Sequence, residues 1–245
     1  MSRTVAIIQA RTGSSRLPGK VLLALLGAPM LAHVVERTSR ARLVDEVVVA
    51  TTQLAADDAI AVLAKDAGWA LVRGSDTDLL DRYVAAARAH AADVVVVRIT
   101  SDCPLIDPEL VDDVVRVLAT TGADYASNTL EPRTYPRGLD VEAITRAALE
   151  LASAEDTNPT WREHATPYIY RHPERFRLAR VASPEDTSGH RWCVDTLEDF
   201  ELVHRIYDEL GNDRFGWREA LMVVRAHPEW ADLNRDVIQK SVLPG

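Results

Sequence analysis

Cysteine is scarce in this sequence: Cys103 and Cys193 are its only two. They cannot build a disulfide framework, and such thin use of cysteine fits a reducing compartment. Positive charge is in deficit, with Lys plus Arg at 28 against Asp plus Glu at 37, a formal net charge of −9. Nucleic acid is therefore excluded as the main partner, because neutralising phosphates needs a net basic face. A single small anion held by a local cluster of Arg and Lys is not excluded. Long apolar runs are missing too. The longest, Val21 to Val35, is interrupted by Gly27, Pro29 and His33, and it is shorter than the roughly 20 residues of a membrane span. The opening MSRTVAIIQA is too briefly apolar for a signal peptide. These absences predict a soluble cytoplasmic protein with no membrane partner. Internal repeats, low-complexity tracts and linkers are absent as well. What is present is 245 residues of ordinary globular composition, 47% hydrophobic and 27% charged. At about 150 residues per domain, that is one large domain with ample chain for a core.

The first half alternates. Thr4 to Gln9, Glu46 to Thr51, Ala70 to Arg73 and Asp93 to Ile99 are short, β-branched and apolar, and read as strands. Between them, Pro29 to Ala41, Asp57 to Ala67 and Thr77 to Ala91 carry apolar residues at helical spacing, with Gly68 placed to end the second. DVVVVRI is too apolar to keep a wet face. Continuous apolar strands alternating with helices predict an α/β fold, a mostly parallel sheet covered on both faces. Farther on, Asp107 caps a helix opened by Pro108. Strands are expected at Tyr125–Asn128, Asp140–Ile144, Arg175–Ala182 and His190–Val194, and a helix at Thr160–His172. Thr196 and Asp199 have capping-box spacing before a helix ended by Gly211, with Phe200, Val203, Tyr207 and Leu210 as its buried stripe. The tail from Trp217 onward is expected to be helical.

The most informative stretch is QARTGSSRLPGK, Gln9 to Lys20, directly after the first strand. In an open parallel sheet, ligands bind at the carboxyl ends of strands. The loop combines Gly13, Ser14, Ser15 and Gly19, which let backbone N–H groups approach phosphate, with the cations Arg11, Arg16 and Lys20. In a net acidic chain this concentration points to a polyphosphate site. The string is no P-loop: five residues separate Gly13 from Gly19, and Val21 stands where Ser or Thr would hold magnesium. GxGxxG is absent as well.

Carboxylates follow two strands. Asp102 lies after the fourth strand, and Asp195 follows Trp192 to Val194. Both are placed to enter one cleft, where magnesium takes one or two carboxylates plus phosphate oxygens. By itself Asp102 reads equally as a turn residue before Pro104, and Asp195 as part of a helix cap. The DxD string Asp76-Thr77-Asp78 precedes a helix, so Asp76 or Thr77 reads as its N-cap rather than as a metal ligand. His190 and Cys193 lack a second pair at zinc spacing. Cys103 and Trp192 read as core, and His164 as a substrate contact or an ordinary helix residue. Arg137 offers a fork for a carboxylate, and Gly138 a positive φ or a close approach. Asp140 and Glu142 are expected to face one way along a strand. Asn128 reads as a hydrogen-bond partner for acceptor hydroxyls or as a strand-end turn.

ARTGSSRLPGK resembles the nucleotide-binding signature of the CMP-sugar synthetases, the cytidylyltransferases for 3-deoxy-manno-octulosonate and acylneuraminate. GSDTDLLDRY, RITSDCPLIDP, YPRGLDVE, REHATPYIY and HRWCVDTLEDFE resemble, in order, its branch typified by a spore coat polysaccharide biosynthesis protein, and cover about the first 210 residues. The resemblance implies a three-layer, Rossmann-like nucleotide-diphospho-sugar transferase (GT-A-like) fold over residues 1–245. Residues 125–190 would supply the acceptor pocket and dimer contacts. It implies CTP as donor, an acidic sugar as acceptor, Mg2+ as cofactor and a homodimer. Nucleotide contacts would come from Gln9, Ala10, Arg11, Thr12, Gly13, Ser14, Ser15, Arg16, Lys20, Thr51, Gly74, Asp76, Thr100, Ser101 and Asp102. Arg11, Arg16, Lys20 and Asp102 would be catalytic, and Asp102 and Asp195 would bind metal. Asn128, Arg137, Gly138, Asp140, Glu142, Glu163 and His164 would face the acceptor. The competing readings are a GT-A glycosyltransferase, a cytidylyltransferase acting on a phosphonate or other small acid, and a non-catalytic nucleotide binder.

Overall fold

A computed structural model of the chain describes residues 2–239. The elements run β1 (Thr4–Gln9), β2 (Ala24–Leu25), β3 (Ala28–Pro29), α1 (Met30–Ser39), β4 (Glu46–Thr52), α2 (Asp58–Ala67), β5 (Ala70–Gly74), α3 (Leu79–Arg88) and β6 (Val95–Thr100). There follow α4 (Pro108–Thr121), β7 (Tyr125–Ser127), β8 (Glu142–Thr145), α5 (Arg146–Glu155), α6 (Pro159–His164), α7 (Pro167–Arg171), β9 (Leu178–Arg180), α8 (Leu197–Leu210) and α9 (Trp217–Ala226). Strands β5-β4-β1-β6-β8-β7-β9 form one sheet, and β2-β3 a small hairpin beside it. The β5-β4-β1-β6 half is parallel throughout, whereas β8 runs antiparallel to both β6 and β7.

Alternation along the central strands explains the two cores. Ala6, Ile8, Val49, Val97 and Ile99 face a cluster with Leu31 and Val34 of α1, Val111 of α4, Val203 of α8 and Leu221 of α9. Val5, Ile7, Val48, Ala50 and Val96 face the opposite cluster, with Leu80 and Tyr83 of α3 and Leu149 of α5. Neither face of β1 meets water, and each fully buried Val or Ile contributes roughly 1.5–3 kcal/mol. The predicted caps of α4 and α8 and the glycine ends of α2 and α8 are present. Asp107 accepts from Glu109 N and Leu110 N at the start of α4, Thr196 and Asp199 close a capping box on α8, and Gly68 and Gly211 end α2 and α8 in the left-handed region.

The second half departs from expectation in five places. Arg146–Glu155 is a helix, capped by Thr145; its buried residues include the small Ala148 and Ala152, which print only a faint apolar stripe. Thr160–His172 is two short helices: Ala165 leaves the helical region with φ +66° and ends the first, and Pro167 opens the second, its missing N–H costing nothing at a first turn. Arg175–Ala182 shortens to β9. His190–Val194 is not a ladder strand: one bridge joins Arg191 to Arg137, and Val194 N then bonds Asp102 O instead. The buried stripe of α8 is Leu202, Val203, Ile206 and Tyr207, with Phe200 and Leu210 only half-buried. In the tail, α9 is followed by a 3-10 turn at Pro228–Asp232, and residues 240–245 lie outside the described ones. No helix among the described residues is long and apolar enough to cross a membrane.

Candidate active site

The carboxyl ends of β1, β4 and β6 stand side by side, with Gln9 paired to Ala50 and to Thr100. The loop 10–20 rises from the middle of that edge. Its start is fixed by Asp57, a residue that helical spacing alone reads as the opening of α2. Asp57 is 2% exposed. One carboxylate oxygen accepts from Thr12 N at 2.7 Å and Thr12 Oγ1 at 2.7 Å, and the other accepts from Thr52 Oγ1. Burial alone would raise its carboxyl; the hydrogen bonds from Thr12 and Thr52 outweigh burial and hold it below the ordinary range. Gly19 N returns to Thr12 O at 2.9 Å and closes the loop.

The other end of the loop carries the charges. Lys20 Nζ lies 3.0 Å from Asp102 Oδ2, 2.8 Å from Asp195 Oδ1 and 2.6 Å from Val194 O. Arg16 meets Asp195 Oδ2 at 2.8 Å, and so does Arg191. Arg191 also grips Asp199 through Nε at 2.8 Å and Nη2 at 3.1 Å, while Asp199 accepts from Asp195 N at 2.9 Å. Burial opposes the ammonium of Lys20, but the charges of Asp102 and Asp195 overcome it and its pKa rises. Burial likewise opposes the Asp102 carboxylate, and Lys20 overcomes it and pulls that pKa down. Asp102 and Asp195 are thus brought together as expected, and Lys20 and Arg16 meet them. Asp195 does not cap α8; Thr196 does. Arg191 and Asp199 complete the set. The HRWCVD string contains Arg191, but only the return of Asp199 onto it reveals its position.

Arg11 lies apart from Arg16 and Lys20. It pairs with Glu163 of α6 at 3.4 Å across a cavity of about 230 Å3 lined also by Thr12, Leu54, Asp76 and Thr77. Asp76 does not cap α3, nor does Thr77; Asp78 does, accepting from Asp81 N at 2.9 Å while pairing with Arg162 at 2.7 Å. The DxD string therefore has one carboxylate already engaged. Gln9 accepts from Tyr83 OH at 3.2 Å. Thr51 and Ser101 are buried, Ala10 is 2% exposed, and Thr100 Oγ1 lies 3.0 Å from Cys103 Sγ. Gly74 rests against Arg82, and Gly13 borders the cavity with open space around it. Ser14 Oγ accepts from Leu17 N at 3.3 Å; Ser15 lies beside it in the same loop. Burial and the neighbouring Asp102 push the Cys103 thiol well up, so it is a filler and not a nucleophile. Trp192 is fully buried.

The acceptor candidates divide. Asn128 is 1% exposed and spends its amide on Leu139 O and Val141 N, so it holds backbone and is not free for a hydroxyl. Asp140 is bidentate to Arg133 at 2.7 and 2.9 Å. Glu142 is buried against Arg98 and Tyr125 OH, so it shares no partner with Asp140. Gly138 has φ +99°, and a Cβ there would lie 2.4 Å from Trp192 C and Cys193 N. It is required by its own chain. Glu163 borders the first cavity. His164 is half-buried, and burial and Arg98 lower its pKa. Arg137, without an ion partner among the described residues, lines a second cavity of about 310 Å3 with His190, Trp192 and Asn234. The two cavities share no lining residue, so Arg137 and Glu163 do not border one pocket.

A mixed sheet with a basic loop after its first strand, facing carboxylates at the same edge, defines a Rossmann-like nucleotidyltransferase. A family model described as Cytidylyltransferase matches residues 5–224, and the chain belongs to that family. The spore coat polysaccharide biosynthesis protein SpsF of Bacillus subtilis is 32% identical over 222 residues, covering 86% of this chain and 89% of that protein. A 3-deoxy-manno-octulosonate cytidylyltransferase of Anaeromyxobacter sp. (strain Fw109-5) is 42% identical over 221 residues, covering 84% and 87%. The solved structure of a cytidylyltransferase from Leptospira borgpetersenii superposes with a TM-score of 0.90 at 32% identity, covering 98% of this chain and 100% of that one.

Proposed function

We propose that this nucleotidyltransferase moves CMP from CTP to an acidic sugar of the 2-keto-3-deoxy or nonulosonic type, releasing pyrophosphate, for surface polysaccharide or glycoconjugate synthesis. The observation that carries the reading is the meeting of Lys20 and Arg16 with Asp102 and Asp195 at the carboxyl edge of the sheet. The 3-deoxy-manno-octulosonate cytidylyltransferase relative supports the acceptor class. An acceptor hydroxyl attacks the α-phosphorus. A new O–P bond forms, the α–β bridge breaks, and the bridging oxygen and its electron pair leave with pyrophosphate, while the hydroxyl proton passes to solvent.

Arg16 and Lys20 bind the β- and γ-phosphates and offset the charge growing on the leaving group. The cavity beside Arg11, Leu54 and Thr77 takes the base, and the Thr12–Asp57 anchor holds the loop at a fixed height over β1. Asp102 and Asp195 would hold a divalent cation. They fit one, because with Val194 O they already surround the Lys20 ammonium with hard oxygen donors. Magnesium bound there would supply further charge neutralisation at the phosphates. Little covalent work falls to the protein; positioning and electrostatics carry the step. The engagement of Asp78 with α3 and Arg162 weighs against a donor-metal role for the DxD string, and so against the glycosyltransferase reading.

The test is thermal unfolding with each of the four ribonucleoside triphosphates, with and without Mg2+, followed by a pyrophosphate-release screen of keto-acid sugars. CTP at about 100 times its dissociation constant stabilises by about 2.7 kcal/mol, and UTP does so far less. Stabilisation by a nucleotide sugar alone overturns the reading.

A further inference from the structure

The charges at the end of the loop form a closed set. Arg16, Lys20 and Arg191 are three cations; Asp102, Asp195 and Asp199 are three anions, joined by contacts of 2.8 to 3.1 Å. The cations are not held alike. Arg191 is 10% exposed in its side chain, bonds both oxygens of the fully buried Asp199, and has its carbonyl tied to Asn234 Nδ2 at 2.9 Å. Arg16 is 25% exposed and sits on the loop, its remaining bond going to Ile238 O at 3.1 Å. Lys20 reaches its oxygens on a four-carbon stem with freely rotating donors.

We propose that Lys20 is the resident cation of the Asp102–Asp195 pair: it keeps that pair closed to divalent metal ions in the free protein, and the pair opens when a polyphosphate draws Lys20 and Arg16 off the carboxylates. The inference rests on the reading of this edge as a polyphosphate and divalent-cation site, and adds the order in which the site is made. Asp195 touches three cations, and Lys20 Nζ holds an oxygen of each aspartate. A divalent ion arriving first would have to approach that ammonium within contact distance, a like-charge juxtaposition of high cost. A polyphosphate offers the Arg16 guanidinium a bidentate pair of anionic oxygens and the Lys20 ammonium further anionic oxygens to contact as a point charge. Their departure removes two positive charges from two half-buried carboxylates, and one divalent ion restores them. Arg191 stays behind as a positioning residue, so Asp195 keeps its aim. Metal and polyphosphate affinities are then reciprocally coupled.

The experiment measures Mn2+ binding by electron paramagnetic resonance on the resting full-length protein, with no nucleotide and no acceptor. Lys20→Met binds Mn2+ at least about tenfold more tightly than wild type. Lys20→Arg, which keeps the charge, stays at the wild-type level, and Asp102→Asn added to Lys20→Met removes the gain. Should Lys20→Met fail to fold, Lys20→Gln carries the same comparison. Equal affinity in wild type and Lys20→Met overturns the proposal. So does tight Mn2+ binding by resting wild type that Asp102→Asn abolishes. Because no CTP is present, failure here is distinguishable from failure of the cytidylyl-transfer reading, which the melting shifts with triphosphates test separately.

Discussion

At its start, the loop 10–20 is held by neutral donors on one buried carboxylate, Asp57; at its end, it is held by cations on two half-buried ones, Asp102 and Asp195. The first arrangement has nothing to give a ligand, because every donor on Asp57 belongs to the fold. The second consists of charges that a phosphate chain can take over one for one. A loop that must stay in register over β1 and yet release cations to a substrate needs both: a fixed end and an exchangeable end.

The sharpest break comes at the exchangeable end. Lys20→Ala and Asp102→Ala each lower the rate of pyrophosphate release from CTP by at least ~10²-fold, the scale of losing one electrostatic stabiliser. Near-normal turnover in both would falsify the assignment. At the fixed end the effect moves to stability. Asp57→Ala leaves the Thr12 N–H and the Thr52 hydroxyl without their acceptor, while Thr12 Oγ1 keeps Ala56 O at 3.0 Å, and costs about 1–3 kcal/mol in chemical denaturation. The pH dependence has a definite sign. The folded pKa of Asp57 lies below its ordinary value, so its contribution is present above about pH 3.9 and is lost as pH falls through the lowered value. Asp57→Asn flattens that acid limb, and unfolding midpoints between neutral and acid pH measure it.

Gly138→Ala probes neither end but the seat of Arg191. The new Cβ meets the backbone of Trp192 and Cys193 at 2.4 Å with φ +99°, and strain of about 1–3 kcal/mol is expected in a thermal melt. The smallest effect belongs to Glu163→Gln. Its pair with Arg11 is half exposed on both sides, so unfolding changes by less than about 1 kcal/mol. A large stability loss there would make the Arg11 side a third anchor and erase the contrast.

Much of the fold could be read along the chain. The parallel half shows in β1, β4 and β6 because each is apolar on both faces, and the caps at Asp107, Thr196 and Asp199 show because capping is settled within four residues. The loop cations and the two aspartates were visible as residue types at strand ends. The antiparallel half was harder. Helix α5 buries small residues, the break before Pro167 overrides a helical period, and 190–194 alternates between Arg137 and Asp102 instead of pairing with one strand. Asn128 and Asp140 looked like acceptor contacts and proved to hold neighbouring chain and Arg133, because polar residues near strand ends serve either purpose.

The sequence by itself determined the layers, the sheet half that carries the loop, and the chemical inventory of the site, all of which follow from periodicity and local composition. Only the tertiary structure decided which charges meet. Lys20 reaches Asp102 over 82 residues and Asp195 over 175, and Thr12 reaches Asp57 over 45. Those pairings depend on β1, β4 and β6 lying adjacent in register and on residues 190–196 crossing their edge. No local pattern encodes a contact whose strength comes from desolvation by the rest of the chain.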